Sequence, residues 1–124
     1  MSSRLAILLW AATPERPQLC ATPLVHALAA RALDAEVEIH FAGPAVRLLV
    51  EEVADAISTS PARDKSVGDF LRELAAADVR LLACSMARAA WVAEDEPLGF
   101  SAGHAGATAF VARALDPQWH TLVF

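Results

Sequence analysis

Clustered positive charge is what this sequence has least of. Ten Lys and Arg stand against fifteen Asp and Glu, a net charge of -5. The basic residues come singly or in loose pairs such as Arg63 and Lys65. Neutralising a phosphate backbone needs a basic face, so no duplex or RNA partner is expected. Long apolar runs are missing too. Two uncharged stretches begin at Leu5 and Leu98 and stop at Glu15 and Arg113. The first is too short, and the second too rich in Gly, Ser and His, for a bilayer span of ~20 apolar residues. With only Cys20 and Cys84 in the chain, a disulfide framework is not expected, and a reducing compartment, the cytoplasm, is the expected setting. His26, His40 and His120 fall in a helix and two strands without metal-ligand spacing, and read as surface or core residues. No bound metal is expected.

What is present is apolar. Hydrophobic residues make up 56% of the chain, against roughly 45–50% in an ordinary domain even with Gly counted. A chain of 124 residues fits one domain, residues 1–124, that buries about two thirds of its unfolded surface and needs no disulfide or metal to fold. A core this small cannot hide all the apolar surface, so another subunit is expected to cover some of it. Arg4 followed by Leu5 to Ala12 imitates a short secretory signal. The same residues suit a buried first strand, and cleavage would remove that strand from a domain otherwise complete.

Arg4 to Trp10 is a continuous apolar run before a Pro-containing loop, the pattern of a strand buried on both faces. Thr22-Pro23 reads as N-cap and first position of a helix carrying Leu24, Val25, Leu28, Ala29, Ala32 and Leu33 on one stripe. Val37 to Phe41 reads as a second strand. Gly43-Pro44 opens what the spacing predicts as the clearest helix, with Val46, Leu49, Val50, Val53, Ala54 and Ile57 in phase. Ser66 and Asp69 resemble a capping box ahead of Val67, Phe70, Leu71 and Leu74. Val79 to Ala83 reads as a strand, Cys84-Ser85 as the turn into a short helix ending near Val92, and Leu98 to Ala102 as a short strand. Gly103-His104 then opens a helix with Ala107, Phe110, Val111, Ala114 and Leu115 inward, before a strand from Trp119 to Phe124. Helices alternating with strands predict an α/β domain, a three-layer α/β/α sandwich with a mostly parallel five-stranded sheet.

In such a sheet, functional residues gather at the carboxyl ends of the strands. The first turn has neither a G-x-G-x-x-G pattern, nor a Lys-bearing phosphate loop, nor the Ser/Thr-rich loop of a flavodoxin, so no nucleotide or flavin cofactor is expected. Cys84 stands where chemistry is expected. A thiol between a strand end and a helix start meets unpaired amides and the positive end of the dipole, both of which favour thiolate; a small buried hydrophobe is the alternative reading. A cysteine-phosphatase loop is excluded, because Ala90 stands where C-x5-R requires Arg. Cys20, in the loop after the first strand, is a candidate partner that resolves an oxidised Cys84 or shares a metal with it, and chance placement is the competing account. His104 is read either as a base or anion contact for the site or as a plain helix-start histidine.

The run Val79-Arg80-Leu81-Leu82-Ala83-Cys84-Ser85-Met86, following a helix that ends Leu74-Ala75-Ala76-Ala77-Asp78, resembles the DsrE/DsrF-like family around its functional cysteine. Leu98-Gly99-Phe100 and Gly103-His104-Ala105-Gly106-Ala107-Thr108-Ala109-Phe110 are similar to its closing Gly-containing strand and final helix, and Ala29 to Phe41 to its first helix and second strand. The resemblance implies a three-layer fold, assembly as homotrimers or hexamers, and a cysteine that accepts persulfide sulfur from a donor protein and passes it to an acceptor protein. Only Cys84 corresponds to that cysteine, with Ser85, Met86, His104 and Cys20 as candidate binding residues around it. Asp34 and Asp78 depart from the glycine common at those helix ends, which Asp tolerates because it visits left-handed conformations. The Cys84-Ser85-Met86 form is closer to the family's peroxiredoxin-like branch. Two functions are therefore carried forward: a persulfide carrier or sulfurtransferase acting through Cys84, and a non-catalytic oligomeric module that binds a small ligand or partner at the same edge.

Overall fold

A computed structural model describes residues 3–124. Strand β1 (Arg4–Leu9) lies between β2 (Glu36–Phe41) and β5 (His120–Val123), and β2 continues through β3 (Arg80–Ala83) to the two-residue β4 (Gly103–His104). Every pairing is parallel, and the spatial order is β4-β3-β2-β1-β5. Helices α1 (Ala21–Ala32), α2 (Glu51–Asp55), α3 (Val67–Ala76), α4 (Ser85–Trp91) and α5 (Ala107–Leu115) fill the connections.

Residues in register on neighbouring strands share a face of the sheet. One face carries Ile7, Ile39 and Leu81 in one row and Leu9, Phe41 and Ala83 in the next. Leu24 and Ala27 of α1 and Leu71 and Leu74 of α3 join these residues in a single buried apolar cluster. At roughly 1.5–3 kcal/mol for each large apolar side chain removed from water, this layer supplies most of the driving force for folding. The other face carries Ala6, Glu38 and Arg80 in one row and Leu8, His40 and Leu82 in the next. Here α5 packs on β1 and β5, and none of its residues is buried. The expected sandwich is present, and its sheet is parallel throughout.

Local signals explain the element ends. Ser66 caps α3 by accepting the Asp69 N–H at 3.0 Å, while the Asp69 carboxylate accepts the Ser66 N–H at 3.1 Å, a reciprocal capping box. Hydrogen bonds to the carboxylate from Ser66, its backbone N–H first and its side chain second, hold the Asp69 carboxyl below the usual range. Helices α1 and α3 end alike: Asp34 and Asp78 take φ of 63° and 66°. The Ala35 N–H reaches the Ala30 carbonyl, and the Val79 N–H that of Leu74, both at 3.0 Å. Each is a Schellman motif with Asp in the position Gly usually holds.

Three expectations need correction. The helix expected from Gly43 to Ile57 is two pieces, a 3-10 segment over Gly43–Leu49 and then α2. Val50 between them is extended (φ -84°, ψ 115°), and the Leu49 carbonyl accepts the Gly99 N–H at 2.8 Å. Val46, Val50 and Val53 are β-branched and weaken a helix, and an apolar residue every third position suits a 3-10 turn as well as an α-helix. Leu98 to Ala102 is not a strand, because Phe100 and Ser101 turn the chain with φ of 58° and 55°; the strand is Gly103–His104, and α5 begins at Ala107 after Gly106. Helix α1 begins one residue before Thr22, with Cys20 as its N-cap. No described helix is long and apolar enough to cross a membrane.

Candidate functional site

Cys84 is fixed by its backbone. Its N–H reaches the Phe41 carbonyl at 3.0 Å, continuing the β2–β3 ladder by one bond, and its carbonyl accepts the Arg88 N–H at 2.8 Å inside α4. It is the N-cap of α4, and its side chain makes no capping hydrogen bond. The residue is half-buried. Beside it lies a cavity of about 200 Å³, almost wholly apolar, lined by Leu8, His40, Cys84, Gly106, Phe110 and Val111 among others.

His40 is the polar group of that lining. It is 4% exposed, and Phe110 of α5 stands edge-on to its ring at 5.2 Å. Its Nε2 lies 2.9 Å from Glu38 Oε1, two residues earlier on the same strand face. Glu38, 2% exposed, also accepts Arg113 Nε at 2.8 Å and meets Arg80 at 3.4 Å. Burial opposes ionisation of Glu38, but hydrogen bonds from Arg113 and His40, with the charges of both, bring its carboxyl below the usual range. An ionised Glu38 accepts only, so the hydrogen between the two residues sits on His40 Nε2. His40 Nδ1 is buried and has no partner. Arg113 in turn lies over the Trp119 ring, 4.1 Å from its centroid, so α5 is tied to the sheet through a buried carboxylate and two aromatic rings.

Of the five residues singled out in the sequence, only Cys84 lines the cavity. Ser85 and Met86 are the first residues of α4 and face solvent, Met86 at 82% exposure. His104 is exposed, in β4 rather than at a helix start, and pairs with Ala83. That register puts it with Phe41 and Leu9 on the opposite face from His40. Cys20 is 1% exposed; its Sγ lies 3.9 Å from the carbonyl oxygens of Thr13 and Arg16, and burial pushes its thiol up to about 11. Both cysteines are free thiols. Among the described residues no three His, Cys, Asp or Glu side chains are grouped as metal ligands.

Sequence reasoning missed His40, Glu38 and Arg113. One signal was available: Glu38 and His40 alternate with Val37, Ile39 and Phe41 inside a strand flanked on both sides by others. A charged residue so placed is rarely buried without partners.

Known proteins give two points of likeness. The family model described as DsrE/DsrF-like family matches residues 6–124. The crystal structure of the ychN protein from E. coli shares the fold, with a TM-score of 0.74 and 16% identity over the whole of both chains. A search of curated proteins returned no match.

Proposed function

Because this chain belongs to the DsrE/DsrF-like family, we propose that it is a persulfide carrier in which Cys84 receives a sulfane sulfur and hands it on. The observation that carries this reading is the contrast between the two thiols. Cys84 is half-buried at a strand end, beside a cavity and free of capping bonds. Cys20 is sealed, and its raised thiol pKa leaves little thiolate at neutral pH. The Cys84 thiolate attacks the outer sulfur of a donor persulfide; the donor's S–S bond breaks, its thiolate leaves, and Cys84-S-SH forms. An acceptor thiolate then attacks that outer sulfur and regenerates Cys84. Neither step needs an external oxidant or reductant.

Protein donors and acceptors meet Cys84 at the open carboxyl edge of the sheet. The working assembly is a homotrimer or hexamer, which the exposed apolar side chains Val111, Leu115 and Val123, at 50%, 80% and 59% exposure, support. The setting is the cytoplasm, where thiols stay reduced. The test is intact mass spectrometry of wild type, Cys84→Ser and Cys20→Ser after incubation with a sulfane sulfur donor and then with a thiol. Wild type and Cys20→Ser gain one sulfur and lose it to the thiol, whereas Cys84→Ser gains none. If wild type gains no sulfur from several chemically distinct donors while Cys84 alkylates freely, a non-catalytic binding module replaces the carrier.

A further inference from the structure

We infer that His40 is the proton acceptor of the Cys84 cavity, with Glu38 and Arg113 as the positioning residues that fix its ring; this deepens the carrier reading and rests on it only for the identity of the sulfur donor. His40 and Cys84 line the same small space, and the imidazole is its one functional polar side chain. The ring cannot satisfy itself. Nε2 is committed to Glu38 at 2.9 Å, and Nδ1 is buried without a partner. A buried acceptor left empty is unfavourable, and an S–H or another donor inside the cavity satisfies it.

The charged groups around His40 are consistent with that role. Glu38 lies on its own strand, Arg80 on β3 and Arg113 on α5, while β1 presents Ala6 and Leu8 on this face. An imidazolium formed at His40 keeps its Nε2–H on an ionised carboxylate, as in nucleophile–base–carboxylate arrangements generally. Atoms and charge balance through the cycle. The Cys84 proton moves to Nδ1, the thiolate attacks the donor's outer sulfur, and the departing donor thiolate takes the proton back from His40. A cavity of about 200 Å³ holds on the order of six water-sized groups. It therefore admits the transferred sulfur and the end of a donor chain, while a bulky donor must remain outside.

The test is the pH dependence of Cys84 alkylation by uncharged iodoacetamide, read by peptide mapping on wild type, His40→Phe and Glu38→Gln. At pH 7, His40→Phe lowers the rate about tenfold and Glu38→Gln about threefold. At pH 10, where a base is no longer needed for a thiol of ordinary acidity, all three converge within about twofold. Circular dichroism and urea midpoints establish that the variants are folded; if His40→Phe is not, Glu38→Gln decides alone. An unchanged pH–rate profile in a folded variant overturns the inference, whether or not sulfur is taken up. Conversely, the expected profile together with no sulfur uptake in the mass experiment retains the Cys84–His40 pair and rejects the carrier reading.

Discussion

The two faces of the sheet are built on different physics. Toward α1 and α3, Ile7, Leu9, Ile39, Phe41 and Leu81 meet Leu24, Leu71 and Leu74 in an apolar layer with no charged member. Toward α5, Glu38 and His40 are buried just as deeply, and the helix above them buries no residue of its own. The first face is held by area removed from water, which is tolerant of direction. The second is held by a few directional contacts, Arg113 on Glu38 and Phe110 on His40, each of which fails if its partner moves. Cys84 lies beside the second, so the proposed chemistry falls on the face specified by polar geometry.

The apolar layer should be the more costly to damage. Ile39→Ala, with its side chain fully buried among α1 and α3, is expected to lose about 3–4 kcal/mol in urea unfolding. The alkylation rate of Cys84 in the folded fraction should stay as in wild type. A loss below about 1 kcal/mol would mean that this face is not the main core.

Arg113→Met tests the other face. It strands a buried carboxylate that keeps only His40 and the more distant Arg80, at an expected cost of about 2–3 kcal/mol. Hydrogen exchange should rise in residues 107–123 and hold steady in α1 and α3. Uniform acceleration would show that the two faces are not separable.

Acid provides a reversible version of the same break. The folded Glu38 carboxyl titrates below its ordinary range, so its contribution is complete above the unfolded value of ~4.3. It is lost as pH falls from there through the folded value. Urea midpoints measured from pH 7 to pH 3 should decline over that interval, and Glu38→Gln should flatten the decline. An identical slope in the variant would assign the acid sensitivity elsewhere.

The smallest effect belongs to the helix ends on the apolar side. Asp34→Gly and Asp78→Gly relieve a left-handed backbone at φ of 63° and 66° and should each add about 0.5 kcal/mol, the gain being reduced by glycine's freedom when unfolded. A loss in both variants would mean that the Asp side chains contribute more than the strain costs.

Most of the scaffold was legible because its signals are local. The capping box at Ser66 and Asp69, the Asp-ended helices and the apolar runs of β1 to β3 need only neighbouring residues, and the strand-to-helix turn at Cys84 follows from them. The segment 43–57 was misread because one apolar spacing serves both a 3-10 and an α-helical path, and the break at Val50 coincides with a bond from Gly99, far along the chain, to the Leu49 carbonyl. The site beyond Cys84 was hidden for the same reason. His40 is placed beside Cys84 by a sheet register and is tied through Glu38 to Arg113, 75 positions from Glu38, and neither is written in the neighbourhood of His40 itself.

The strand order has a consequence for how the chain is made. Of these five strands β1 is synthesised first, yet one of its edges is completed by β5, the last of the five. Until then the backbone groups of β1 on that side face outward as an open template for another chain's strand. Closure must also wait for a contact spanning more than a hundred residues, the kind that slows folding most. The hazard in this fold is thus one of timing, with a growing chain vulnerable to mispairing at an edge the finished protein conceals.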